Sequence, residues 1–297
     1  MPIEDFIISV FVWVDDTLKA LFGSYKPWRT RGPAPRLEDS EVLTMELVGE
    51  FLGYDQDKGI YNYFRQHWLH LFPDLARVHR TRWVRQAARL VWVKERLWRF
   101  LRTRVPSDSQ VSILDRFPLY VCEPARAYRV RLFRDEAAWG WDEHRKAPFF
   151  GFRWHLRIQW PGVIAEVLIA PANVSDLAMT DFLLEGVRGW VMGDRSYGSP
   201  ERRKAFSQQG LALLAPPKRR EQDASCGWTS WLTQKRRRIE TVISQLTERF
   251  HAKRTWARDL LHLALRIFRK VLSHTLAVFL NSREGREPLQ LSLLVTS

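Results

Sequence analysis

Short apolar segments alternate with amphipathic segments between residues 110 and 248, and this order constrains the fold more than any other feature. Strand patterns occur at 110–121, 149–159, 163–169, 190–194 and 211–215. Pro161 and Gly162 separate the second and third of these segments, which predicts a hairpin. Helical patterns follow the third, fourth and fifth strands. The sequence therefore predicts an α/β fold, a mixed sheet flanked by helices, with right-handed crossovers between parallel strands.

The first third of the chain has a different pattern. Residues 1–105 show helical patterns only, and the strand patterns begin after Pro106. We therefore predict an all-helical module at 1–105 and a second domain at 106–281 that ends in long helices. The second domain has an insertion around 123–147, and residues 282–297 are predicted to form a loose tail.

The chain is strongly basic. It has 47 Lys and Arg residues against 33 Asp and Glu residues, a formal net charge of +14. Such an excess of positive charge favours a polyanionic partner such as DNA or RNA. The alternative is a ribosome- or membrane-associated protein whose surface is basic for other reasons.

Arginines recur along residues 80–103, where the sequence predicts a helix. At roughly 100° per residue, five of them fall within one arc of about 100°, and the apolar residues lie opposite. The five are Arg82, Arg85, Arg89, Arg96 and Arg99. Because guanidinium groups suit phosphate contacts, we predict that this face of the helical module binds DNA. The solvated face of an ordinary helix is the alternative.

Two features bear on the cellular compartment. Cys122 and Cys226 are the two cysteines and have no CxxC spacing, so neither a disulfide framework nor a structural zinc site is expected. The apolar run at 7–14 is too short to span a bilayer and is predicted to belong to a core helix. The sequence therefore predicts a cytoplasmic protein without a membrane partner.

Three acidic residues have the settings of a metal-binding site. Asp115 and Asp194 each close a short apolar run, and Glu240 borders the apolar stripe of a later helix. Two carboxylates at strand ends and a third on a helix packed against the sheet can converge on one point. Carboxylate oxygens suit Mg²⁺, and two divalent ions can promote phosphodiester cleavage. The alternatives are aspartates in turns and a glutamate in a surface salt bridge.

Two further groups of residues are candidates for DNA contact. Lys235, Arg236, Arg237 and Arg238 precede Glu240 and would place positive charge where substrate phosphates lie; the alternative is a solvated helix start. Several tryptophans are candidates for stacking on an unpaired base, with a place in the core as the alternative. These are Trp139, Trp141, Trp154, Trp228 and Trp231.

Six short motifs occur in an order that resembles one family. They are Asp-Arg-Phe-Pro at 115–118, Phe-Gly-Phe-Arg-Trp-His at 150–155, Pro-Ala-Asn-Val-Ser-Asp at 171–176, Gly-Asp-Arg-Ser-Tyr at 193–197, Pro-Pro-Lys-Arg at 216–219 and Arg-Ile-Glu-Thr at 238–241. With these motifs the chain resembles bacterial insertion-sequence transposases of the DDE class, whose catalytic core is RNase H-like. The resemblance covers about residues 39–280.

The resemblance implies a function and a set of site residues. Asp115, Asp194 and Glu240 would be catalytic and would hold two Mg²⁺ ions, for which Mn²⁺ can substitute. The enzyme would cleave DNA at the ends of an insertion sequence and transfer the strands to a target. Its partners would be double-stranded DNA, at the terminal inverted repeats and the target, and further copies of the chain, as a homodimer or larger assembly at the nucleoid.

Two other functions remain open at this point. One is a metal-dependent nuclease that cleaves DNA without joining it. The other is a non-catalytic DNA-binding descendant of a transposase. Three residues inside the motifs are interpreted as structural. Asn173 and Asp176 would belong to a helix start, and His155 would be a packing or hydrogen-bonding residue on its strand, with an approach to the site as the alternative.

Overall fold

In the computed structural model, the described residues are 1–23, 26, 28, 33–197, 199–216 and 230–295. The helices are α1 (Ile3–Phe22), α2 (Asp39–Phe51), α3 (Asp57–His67), α4 (Arg80–Arg89), α5 (Val91–Arg102), α6 (Asp176–Leu183), α7 (Pro200–Gln208), α8 (Ser230–Glu248) and α9 (Leu260–Arg283). The strands are β1 (Asp108–Cys122), β2 (Ala138–Asp142), β3 (Ala147–Trp160), β4 (Val163–Pro171), β5 (Gly189–Met192) and β6 (Leu211–Leu214). The chain divides into two compact units, Met1–Val105 with Leu246–Ser297, and Pro106–Gln245.

The first unit is helical, and α2 is its central helix. Every residue of α2 except Glu41 is buried, and the helix contacts α1, α3, α4 and α9. A reciprocal capping box between Glu38 and Glu41 fixes where the helix begins. Because neighbours cover α2 on all sides, Glu46 and Glu50 are buried together with its apolar residues.

Glu46 and Glu50 pair with cations from two other helices. Lys94 Nζ of α5 lies 2.6 Å from Glu46 Oε2. Arg269 Nε of α9 lies 2.5 Å from Glu50 Oε2, and Lys270 pairs with the same glutamate. All five side chains are at most 1% exposed. Helix α9 therefore belongs to the first unit, which corrects the sequence-based division that placed residues up to 281 in the second domain.

The helix predicted over 80–103 is interrupted. Leu90 is fully buried and separates α4 from α5. Lys94 Nζ donates a hydrogen bond of 3.0 Å to the carbonyl of Ala87, which also accepts from the Leu90 N–H, so the lysine adds a second donor at the end of α4. The prediction of a single helix is therefore wrong. Periodicity does not indicate the break at Leu90, nor that Lys94 is buried as the partner of Glu46.

The ends of the chain also pack in the first unit. Helix α1 buries Ile7, Val10 and Val14, as expected of a core helix. The Met1 amino group donates to the carbonyl of Leu294 at 2.9 Å, and Leu294 is buried. Leu289 and Leu291 are buried as well, in contrast to the loose tail that the sequence predicted for residues 282–297. In the part of the chain that is described, no helix is both long and apolar enough to cross a membrane.

The second unit contains one mixed sheet. Strand β1 pairs antiparallel with β3 and parallel with β5, and β5 pairs parallel with β6. The long strand β3 pairs along its other edge with both β2 and β4. The five strands predicted from the sequence therefore lie in the order β4–β3–β1–β5–β6. The predicted α/β fold with a mixed sheet is confirmed.

Strand β2 is an addition to this order. It lies in the 123–147 insertion, where the sequence analysis predicted no strand. Its five residues pair with Ala147–Gly151 of β3 and form a short hairpin with it. A segment this short, with a glycine at its centre and exposed tryptophans on either side, has no clear alternation of apolar and polar residues.

Helices α6 and α7 cover one side of the sheet. Their apolar residues Leu183 and Phe206 pack in a cluster with Leu114 of β1 and Val191 of β5. Strand β5 begins close beside β1, at Gly189, whose φ is +87° and where a Cβ would lie 2.4 Å from the Gln110 carbonyl oxygen. Only glycine fits this start, so the approach of β5 to β1 depends on it.

Candidate active site

Asp115 lies where β1 separates from β5. Strand β1 continues opposite β3 as far as Cys122, so Asp115 is within a strand and not at its end, contrary to the prediction. The parallel pairing with β5, however, ends at Ile113 opposite Met192. Asp115 is the second residue after that pairing ends, and its side chain is 18% exposed.

Asp194 follows β5 by two residues, as expected of a strand-end aspartate. The Gly193 N–H donates to the carbonyl of Leu214 at 2.9 Å and keeps the backbone in the sheet one residue beyond β5. Asp194 then turns the chain. Its Oδ1 accepts from the Arg195 N–H at 2.7 Å, and its carbonyl accepts from the Tyr197 N–H at 3.1 Å. The Asp194 side chain is exposed.

Glu240 lies on α8 at the border of its buried stripe. Its neighbour Ile239 is fully buried, whereas the Glu240 side chain is 57% exposed. Arg236, one turn earlier, connects this glutamate with β1. Its Nη2 lies 3.1 Å from Asp115 Oδ2, and its Nη1 lies 3.7 Å from Glu240 Oε1. The Arg236 guanidinium thus bridges the two carboxylates.

The three carboxylates share one electrostatic environment. Burial raises the pKa of Asp115 above its ordinary value, and the negative charges of Asp194 and Glu240 raise it further. The Arg236 guanidinium and the backbone N–H of Arg116 act in the opposite direction. Residues far apart in the sequence therefore bring their charges together at the open edge between β1 and β5.

The donor set suits a hard divalent cation because all three side chains supply carboxylate oxygens. The arrangement itself is not that of a compact metal site. Among the described residues, no three acidic, histidine or cysteine side chains are placed to share one ion. A cation held jointly by Asp115 and Glu240 would require Arg236 to leave the position between them.

A second group of buried residues lies behind Asp115 and Asp194. His155 of β3 is paired with Arg116 in the β1–β3 register, and its Nδ1 lies 3.3 Å from the Tyr197 hydroxyl. Arg116 Nε lies 2.6 Å from Asp176 Oδ1 at the start of α6. Burial lowers the pKa of His155 to about 4, so the ring is neutral at pH 7. These contacts link the strand beside Asp115 with the turn that carries Asp194.

The roles of the residues in this group could be predicted from the sequence only in part. His155 is a buried hydrogen-bonding residue, as interpreted. The cap of α6 is Ser175, whose hydroxyl accepts from the Ala178 N–H at 3.3 Å, while Asp176 is the ion-pair partner of Arg116. Asp176 and Tyr197 lie inside motifs that the sequence analysis singled out, but nothing in the sequence indicates which residues they contact.

Replacing Tyr197 with phenylalanine is expected to lower the free energy of unfolding by about 1–3 kcal/mol, because the substitution leaves the buried His155 Nδ1 without its partner. Urea denaturation followed by circular dichroism measures the difference. Tyr128→Phe is a matched control, since Tyr128 is 86% exposed and should change stability by less than about 0.5 kcal/mol. Equal stability of the two variants would show that the hydrogen bond contributes nothing.

The basic run on α8 is divided among three environments. Arg236 bridges the carboxylates. Lys235 Nζ and the Arg238 guanidinium lie 4.5 Å and 5.4 Å from the ring centroid of Trp160 on β3. Arg237 is exposed. Two of the four predicted DNA contacts are therefore engaged with an aromatic ring of the same unit.

The arginines predicted on α4 and α5 do not form one row, because the helix is broken at Leu90. Arg82, Arg85, Arg89 and Arg96 are exposed. Arg99 Nε instead donates to Glu95 Oε1 at 2.8 Å. Contact between these arginines and DNA stays a prediction.

The candidate stacking tryptophans also differ in exposure. Trp154 is fully buried and lies 5.1 Å from the ring of Phe117, so the stacking prediction is wrong for it. Trp139, Trp141 and Trp231 are 37%, 47% and 53% exposed. Trp228 and residues 217–219 of the Pro-Pro-Lys-Arg motif lie outside the described residues.

Comparison with known proteins identifies the region that holds the site. A family profile described as "Transposase DDE domain" matches residues 106–260, which are 155 of the 297 residues. No curated protein sequence matches the chain.

Two solved structures are similar to the chain at low identity. One is the piggyBac transposase in a synaptic complex with hairpin DNA: 9% identity, a TM-score of 0.49, and coverage of 97% of this chain and 76% of that one. The other is the Mos1 mariner paired end complex with Mn: 12% identity, a TM-score of 0.23, and coverage of 93% and 95%. Both TM-scores lie below 0.5, a level at which superposition does not establish a common fold.

Proposed function

Since the chain belongs to the transposase DDE domain family, we propose that it is a DNA transposase that cuts DNA at the ends of an insertion sequence and joins them to a target. One observation carries the proposal. Asp115, Asp194 and Glu240 lie within the matched region, and the charges of Asp194 and Glu240 act on Asp115, although the three residues come from a strand, a turn and a helix.

We propose that these three carboxylates hold divalent cations, two Mg²⁺ ions or Mn²⁺ in their place. When bound, such ions relieve charge at a phosphate and lower the pKa of an attacking water. The chain's own cation is Arg236. Once its guanidinium leaves Asp115 and Glu240, it can donate two parallel hydrogen bonds to a substrate phosphate.

The proposed reaction has two balanced steps. Water attacks a phosphodiester at the end of the element; a bond from the water oxygen to phosphorus forms, the bond to the 3′ oxygen breaks, and a 3′-OH and a 5′-phosphate result. The 3′-OH then attacks a target phosphodiester, so one phosphorus–oxygen bond forms and one breaks. Because the number of phosphodiester bonds is conserved in the second step, no nucleotide cofactor is needed.

We propose that the helical residues 1–105 recognise the terminal inverted repeats. The exposed arginines of α4 and α5 support this assignment, since phosphate contacts position a protein on duplex DNA. Arg237, exposed on the same helix as Glu240, is proposed to contact phosphates near the site. Joining two ends to one target requires at least two copies of the chain on the DNA.

A strand-transfer assay tests the proposal. It combines a labelled duplex of the flanking inverted repeat, a supercoiled target plasmid and Mg²⁺ or Mn²⁺, and wild type is compared with Asp194→Asn. Glu185→Gln is the control, because Glu185 is exposed on the same unit and lies outside the site. We expect joined products from wild type and from Glu185→Gln, and none from Asp194→Asn.

The other outcomes identify the alternatives. Cleavage of the labelled end without joined products would indicate a nuclease. Binding without either product would indicate a DNA-binding descendant, and the catalytic role of Asp115, Asp194 and Glu240 would be rejected.

A further inference from the structure

The 123–147 insertion exposes aromatic side chains that the proposed reaction does not use. Tyr128 is 86% exposed, and Trp139 and Trp141 on β2 are 37% and 47% exposed. The Tyr128 and Trp139 ring centroids are 5.4 Å apart, and Trp139 in turn lies 5.8 Å from Phe150 on β3. Aromatic rings grouped on a surface indicate a binding partner more strongly than single exposed apolar residues do.

The loop beside these rings carries positive charge. Residues 124–134 contain four arginines and no acidic residue, and Glu123, Asp135 and Glu136 flank this stretch. Arg126, Arg129 and Arg131 are exposed. An acidic peptide would neutralise these guanidinium groups but would leave the flat rings unused. Single-stranded nucleic acid satisfies both features, since its bases stack on aromatic rings while its phosphates contact arginines.

The surface is held in place by buried contacts. Phe133 anchors the arginine-bearing loop, since it is buried and packs edge-on against Phe152 at 5.3 Å. At the other end of β2, Asp142 accepts hydrogen bonds from the Tyr120 hydroxyl and from the His144 N–H, the latter at 2.9 Å. The rings are therefore positioned before a ligand arrives, which reduces the entropy lost on binding.

Close packing of β2 adds to this order. Gly140 lies between the two tryptophans, and a Cβ there would approach the Ala172 side chain to 2.7 Å. Glycine thus allows the middle of β2 to pack closely, while Trp139 and Trp141 stay exposed on either side of it.

We propose that Tyr128, Trp139 and the arginines 126, 129 and 131 form a binding surface for unpaired DNA nucleotides, here named the stacking surface. Bases would stack on Tyr128 and Trp139, and the arginines would contact the adjoining phosphates. Unpaired nucleotides arise where a duplex end frays or is opened near a cleavage point. The choice of DNA as the polymer rests on the proposed function; the preference for unpaired bases rests on the rings alone.

Fluorescence anisotropy in EDTA tests the proposal without any contribution from catalysis. The probes are a fluorescein-labelled single strand of 20 mixed nucleotides, the matching duplex, and an RNA of the same sequence. Tyr128→Ala and Trp139→Ala are each expected to weaken binding of the single strand about 5- to 100-fold. Duplex binding should change by less than about twofold, because phosphate contacts elsewhere supply it.

Two matched variants complete the design. Phe182→Ala removes an aromatic ring that is 65% exposed on α6 and should leave binding of the single strand unchanged. Trp139→Phe keeps a stacking ring and should retain most of the affinity. Tyr128 is so exposed that its loss cannot unfold the unit, which keeps the test valid if Trp139→Ala misfolds.

Three results would overturn the proposal: unchanged binding of the single strand by Tyr128→Ala, an equal loss on single strand and duplex, or tighter binding of the RNA than of the DNA strand. Failure of the strand-transfer assay alone would not do so, since the anisotropy is measured without divalent cations. The converse result is also distinguishable. If wild type joins DNA normally and Tyr128→Ala binds the single strand like wild type, the proposed function stands and the stacking surface is rejected.

Discussion

Replacing Asp115 with asparagine is expected to reduce the rate of DNA end cleavage by at least about 100-fold, since even residues that support a metal ligand cost about 10- to 100-fold when changed. The fold should persist. Arg236 keeps Glu240 as a partner, and burial already disfavours the charged form of Asp115, so a neutral amide of the same shape should cost little stability. Single-turnover cleavage of a labelled end measures the rate.

Binding of Mn²⁺, followed by electron paramagnetic resonance, gives a second readout that does not depend on turnover. Asp115→Asn should bind the ion more weakly than wild type. Asp181→Asn is the control, because Asp181 is 58% exposed and pairs with Arg202 away from the site. Cleavage and Mn²⁺ binding that stay within about threefold of wild type would remove Asp115 from the catalytic set.

Replacing Glu50 with glutamine is expected to lower the free energy of unfolding by about 3–5 kcal/mol. Arg269 and Lys270 would remain buried beside an uncharged side chain, with Arg269 still 0% and Lys270 1% exposed. Burial already lowers the pKa of Lys270, and the charge of Glu50 opposes that shift. Without the charge of Glu50, the Lys270 ammonium group must lose its proton or move to contact water. Urea denaturation of Glu50→Gln and wild type measures the change.

An exposed ion pair of the first unit offers a matched comparison for Glu50→Gln. Glu4 lies 3.3 Å from His70, and both side chains are at least half exposed, so Glu4→Gln should cost less than about 1 kcal/mol. A double variant, Glu50→Gln with Lys270→Gln, removes one cation with the anion and should recover part of the loss. Equal costs for Glu50→Gln and Glu4→Gln would mean that the buried ion pairs are not coupled to folding.

The order of the sheet could be predicted from the sequence because each strand carries its own apolar pattern and each crossover has room for a helix. Strand β2 could not be predicted, since its five residues around Gly140 show no clear alternation of apolar and polar side chains. The buried ion pairs of α2 were also missed. Glu46 and Glu50 are charged residues that the sequence alone would place on a solvated helix face. They are core residues because cations from α5 and α9, up to 220 residues away, pair with them.

The candidate site likewise contains residues that could be predicted from the sequence and contacts that could not. Asp194 and Glu240 could be placed from the sequence, because one follows a strand end and the other borders the buried stripe of a helix, whereas Asp115 was expected at a strand end and lies within β1. That Arg236 bridges Asp115 and Glu240 could not be predicted, since a one-turn spacing fixes its distance to Glu240 but not to a strand more than a hundred residues earlier. The predicted row of arginines failed for a related reason: the helix is interrupted at Leu90, where periodicity alone would continue it.

The first unit is assembled from both ends of the polypeptide, with the whole second unit encoded between them. During synthesis the ribosome releases residues 106–245 before the segment that carries Arg269 and Lys270 exists. Because domains generally fold as units, the sheet can form at this stage, whereas Glu50 has no partner until α9 has been synthesised. A truncated chain that ends before α9 would keep Lys94 as the partner of Glu46 but would leave Glu50, at the centre of the helical unit, without Arg269 and Lys270.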